Sequence, residues 1–149
     1  MYEFFLFLHL TAISIWLGSV LTIAIMLLTM RQQIANRDIK SLAQKAIRTF
    51  NRIMYPSSFL VLVSGIVMIV KLGKDSARPF WLEYMQDAGA MTILVSIILS
   101  GIWGKKVIKR INQGNDKHAE SSISKFSSGL LVSLLFILSV VFMAAFKFN

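Results

Sequence analysis

The chain has no cysteine, only two prolines and two histidines, and seven acidic residues against sixteen lysines and arginines in 149 positions. Without cysteine there can be no disulfide, no thiolate metal site and no cysteine nucleophile, and the redox compartment leaves no trace in the composition. The uncharged stretches contain no carboxylate pair, and no glycine-rich phosphate loop or nucleophile with an adjacent base occurs anywhere. Ordinary hydrolase chemistry is therefore not expected. The net charge of +9 could point to nucleic acid. The basic residues, however, are gathered between apolar blocks, where headgroups or solvent would meet them, and no nucleic-acid partner is expected.

What the chain has in abundance is apolar side chains, 56% of the total with a mean hydropathy of +0.67, too much for a soluble domain. Four runs are long enough to cross a bilayer, at about 4–28, 53–72, 88–107 and 127–146. The expected fold is all-α: residues 1–149 as one integral membrane domain, an up-and-down four-helix bundle with no soluble part. The first run is too long for a signal-peptide core and follows no basic segment, so it is read as a retained span.

Between the first two runs, Ile39, Leu42, Ala43, Ala46, Ile47 and Phe50 recur at helical spacing among basic residues. Residues 36–52 therefore read as a basic amphipathic helix, with Asn36 or Asp38 as its cap, lying at the interface or continuing into the second span. Pro56 predicts a kink or a fresh helix start, because it lacks an amide donor and disfavours helical geometry at Tyr55. Residues 73–87, with Pro79, Phe80, Trp81 and Tyr84, read as an aromatic interfacial loop. Residues 109–125 read as a polar loop that holds His118, where an imidazole is expected to be merely solvated.

Lysine and arginine favour the cytoplasmic side. Arg31, Arg37, Lys40, Lys45, Arg48 and Arg52 crowd the first connection, and an equal number runs from Lys105 to Lys125 in the third. Both connections are expected on the cytoplasmic side of a cell membrane, against anionic headgroups, with both termini outside.

Two stripes mark the first span. On a helix of about 3.6 residues per turn, His9, Ala12, Trp16 and Val20 share one face, and Thr11, Ser14, Gly18 and Thr22 the opposite one. The second stripe, and the ladder Thr92, Ser96, Ser100 and Gly104 in the third span, are read as close helix contacts. There is more such surface than one bundle interior needs, so a homo-oligomer is expected. His9 is the only ionisable residue well inside a span, which makes it the leading site candidate. It could pin the bundle through Ser57, Ser58 or a backbone carbonyl, or bind copper or haem iron through one ring nitrogen while the other is held. Met26, Met30, Met54, Met68, Met85, Met91 and Met143 are read as scattered in depth and as packing.

The pattern H-x6-W-x-G formed by His9, Trp16 and Gly18 resembles the first helix of the copper-resistance D (CopD) family. The run RTFNRIMYPSSFLVLVSGIVMI, with Arg48, Phe50, Arg52, Pro56 and Gly65, resembles a basic-aromatic lead into a span that this family shares with HemJ-type protoporphyrinogen oxidases. The likeness covers residues 1–72, and the remainder only by hydropathy. It implies a four-helix unit in copper homeostasis or transport, with His9 as metal ligand and Trp16 beside the bound group. On the oxidase side it implies haem b bound through His9, in a haem-dependent oxidoreductase. A non-catalytic assembly or structural protein is the third expectation.

Overall fold

The computed structural model describes residues 2–72 and 80–146, excepting the side chains of Leu72 and Trp81. Four long helices account for nearly all of them: α1 Tyr2–Met30, α2 Arg37–Leu72, α3 Phe80–Asn112 and α4 Asp116–Phe146. A single 3-10 turn, Arg31–Gln33, links the first pair. Each helix is long and apolar enough to cross a membrane. The all-α four-helix bundle of a multi-pass membrane protein follows. Helix α1 packs on α2 and α4, and α3 packs on α4 and α2, so the helices form a ring of antiparallel neighbours. The ends of α1 and α4 that carry the chain termini lie together, and the basic turns lie at the opposite end.

Helix starts follow local chemistry. Asn36 accepts a 2.8 Å bond from the Asp38 amide through its side chain, which selects it over Asp38 as the cap of α2. Asn115 does the same for α4 through the His118 amide, and Gly114, at φ +77°, turns the chain between α3 and α4.

Two expectations from the sequence are corrected here and one is narrowed. Of the two placements expected for the amphipathic segment, it continues into the second span as one helix, so the fresh start allowed at Pro56 does not occur. Pro56 is exposed on the lipid side, where its ring needs no room inside the bundle. Residues 80–87 are the first turns of α3 and not a loop. The region 109–125 contains only a short turn, because α3 runs to Asn112 and α4 begins at Asp116. Residues 73–79, with Pro79, lie outside the described residues.

The interior differs from the exterior in size and polarity more than in greasiness. Phe4, Phe7, Phe59, Ile66 and Val70 lie outward, where lipid covers them at no cost. Burying them would gain little, since acyl chains are as apolar as a core. What is buried is close-packing side chains: Trp16, Leu27, Ile47, Met54, Phe126 and Leu130, interleaved with Ser57, Ser58, Ser64, Ser96, Ser100 and Ser133. Ser96 donates to the Thr92 carbonyl, leaving its oxygen to accept from Ser133 of α4 at 2.5 Å. At Gly104 an added Cβ would lie 3.3 Å from Ile47 and 3.4 Å from Asn51. The ladder on α3 is thus an internal contact. The Thr11, Ser14, Gly18 and Thr22 stripe is exposed along its whole length.

Candidate ligand site around His9

In an antiparallel hairpin the first turns of α1 must face the last turns of α2. His9 accordingly meets Val61, Ser64 and Gly65, and its Nδ1 lies 3.0 Å from the Val61 carbonyl oxygen and 2.9 Å from Ser64 Oγ. The expected partners Ser57 and Ser58 lie one to two turns deeper. Ser57 instead donates to the Ile53 carbonyl of its own helix, and Ser58 Oγ is buried with no partner among the described residues.

These contacts fix the tautomer. A carbonyl oxygen can only accept, so Nδ1 must carry the hydrogen. Ser64 agrees, because its own hydroxyl donates to the Leu60 carbonyl at 2.5 Å and its oxygen is left to accept. In the neutral ring Nε2 then holds the lone pair, and it has no hydrogen-bond partner among the described residues. Gly65 lets the ring approach α2 closely: a Cβ there would lie 3.3 Å from His9 Cε1. Half-buried His9 is therefore a clamped imidazole with its free nitrogen directed away from its anchor.

Trp16 lies two turns deeper on the same face of α1, 1% exposed, with Nε1 lacking a partner among the described residues. It belongs to the core and makes no hydrogen bond or ring contact with His9. Gly18 points outward, and a Cβ there would meet nothing within 4 Å. His118 is exposed in the first turn of α4, at the basic end. Since Arg31 of the same end bonds Ser124, His9 and His118 are separated by most of the length of α1, roughly 30 Å at 1.5 Å per residue.

Helix register sorts the methionines that the sequence left scattered. Gly89 faces Val140, and Tyr84 meets Ser139 at 3.3 Å, so the first turns of α3 flank the last turns of α4. Met68, Met85 and Met143, all half-buried, consequently lie toward the terminal end, as His9 does. Met26 and Met30 are at the basic end. Helical side chains lean toward their own N-terminus, so His9 leans toward the terminal end while Met68 and Met143 lean back from it. Among the described residues no three of histidine, cysteine, aspartate and glutamate gather. Besides the exposed carboxylates of Glu3, Glu83 and Asp87, the donors toward this end are one imidazole nitrogen and thioether sulfurs, and imidazole with thioether suits a soft cation such as copper(I).

No protein-family model, curated protein or solved structure matches the chain.

Proposed function

We propose that this is a membrane component of metal homeostasis in which His9 Nε2 is a ligand, copper being the metal that an imidazole with thioethers toward the same end of the bundle would suit. The observation that carries the reading is the clamp on Nδ1. A metal-binding histidine characteristically donates its other ring hydrogen to a carbonyl or an oxygen acceptor, which fixes the ring and raises its basicity. His9 has such acceptors in Val61 and Ser64. Haem b could use the same nitrogen as one axial ligand, but His118 is too far away to supply the other. A second axial ligand would come from water, a methionine or another subunit.

The reading includes a cell-membrane location with both termini outside, and self-association through the exposed stripe on α1. Accessibility of a single cysteine placed at Lys45 tests the orientation: labelling from outside intact cells would reverse it. The visible spectrum and metal content of the purified protein test the ligand. Copper retained by the protein but absent from His9→Ala supports the proposal. A Soret band would move the assignment to haem, and a colourless, metal-free protein that cannot be loaded would leave His9 as a structural pin.

A further inference from the structure

We propose that the cleft between α2 and α3 at the basic end binds the phosphate of an anionic phospholipid. It has a volume of about 610 Å³ and is lined by Arg48, Asn51, Lys105, Ile108, Lys109, Asn112 and Gln113. Three cations line it and no carboxylate does. Among the described residues none of the three cations makes an ion pair, whereas nearby Lys40 is engaged by Asp116 at 2.6 Å.

The neutral groups point to the same ligand. Ser100 donates to Asn51 Oδ1, and Gln44 donates to Asn112 Oδ1 at 2.8 Å. Both amide oxygens are thereby used within the protein, and both amide NH2 groups remain as donors. A site rich in donors and cations, with the amide oxygens of Asn51 and Asn112 each already accepting a bond, favours an anion with several oxygens. Lys105 and Lys109 are one turn apart on a single face, so both can reach one phosphate.

Depth selects a lipid over a dissolved phosphate. Trp103 is 39% exposed two residues before Lys105, and Tyr55, also exposed, sets its hydroxyl against Gly101. Exposed tryptophan and tyrosine mark the headgroup level. Ile102, 60% exposed, continues the surface toward the hydrocarbon, where an acyl chain can lie. The basic cleft therefore opens where lipid phosphates already are.

Native mass spectrometry of the full chain in mild detergent, with added phosphatidylglycerol or phosphatidylcholine, tests this. One phosphatidylglycerol should be retained in clear preference to phosphatidylcholine. Lys105→Gln with Lys109→Gln should weaken that binding about thirtyfold, the factor expected from two lost charges at headgroup depth. Arg37→Gln with Lys45→Gln, an equal loss of charge outside the cleft, should leave it within about twofold. Equal losses in the two pairs, or no preference for the anionic lipid, would overturn the site. Displacement by an equal concentration of inorganic phosphate would overturn the lipid assignment, and its failure to compete supports it.

Discussion

Ser64 of α2 holds His9 of α1 across 55 residues of sequence through a 2.9 Å hydrogen bond, with its own hydrogen committed to the Leu60 carbonyl. The direction of that bond decides which imidazole nitrogen is free. A serine that donated to the ring would have left Nδ1, hemmed in by α2, as the basic atom. The observed arrangement frees Nε2.

Replacing Ser64 by Ala should therefore affect stability and ligand binding unequally. One interhelical hydrogen bond in a membrane protein is worth about 0.6 kcal/mol, so unfolding should shift only slightly. Affinity for a metal on Nε2 should fall roughly tenfold or more, since the ring loses a group that orients it. Gly65→Leu should be more damaging to both, because its first added carbon already presses on Cε1. Denaturation in mixed detergent and metal titration of the same samples separate the two effects.

The glycines of α1 and α3 should respond in opposite ways. Gly104→Leu places a branched side chain between Ile47, Asn51 and Phe126, and overpacking of this kind costs about 1–3 kcal/mol. Gly18→Leu meets only open space, so the bundle should keep its thermal stability. If the α1 stripe is an oligomer contact, as proposed, Gly18→Leu with Ser14→Leu should convert the oligomer to a folded monomer. Light scattering in detergent reads the mass, and an unchanged mass would remove this stripe from the interface.

Much of this fold is legible in composition, and the parts that are not have identifiable causes. Hydropathy locates the segment of a helix that crosses the hydrocarbon but says little about where the helix ends. Backbone hydrogen bonding continues through Phe80–Asp87 and Asp116–Lys125, although both stretches are too polar or aromatic to look like spans. The inward direction of α1 was harder to read. Thr11, Ser14, Gly18 and Thr22 look like an interior stripe because small residues pack well, yet lipid covers apolar and small surfaces alike, and the buried face is that of Ala12, Trp16 and Val20. His9 was legible as a candidate from its solitude in an apolar run. Its partners required register: a residue near the start of one span must pair near the end of the next, which favours Ser64 over Ser57 and Ser58.

The turn between α3 and α4 offers a local check. Gly114 has φ of +77°, so an added Cβ is strained even though nothing lies within 4 Å of it. Gly114→Ala should cost about 1 kcal/mol and Gly114→Asn less, since asparagine tolerates this conformation. Asp116→Asn should change stability by under about 1 kcal/mol, because the ion pair with Lys40 is partly open to solvent. Thermal unfolding of the three variants under one set of conditions ranks them.

Copper(I) titration of the purified full chain, against a chelating competitor of known affinity, bears most directly on the role assigned to His9. The wild type should bind the metal, His9→Ala should lose the binding, and Ser64→Ala should retain it with reduced affinity while circular dichroism remains unchanged. Equal copper(I) affinity in the wild type and both folded variants would contradict the account, because no ligand role would then remain for the nitrogen that α2 leaves free.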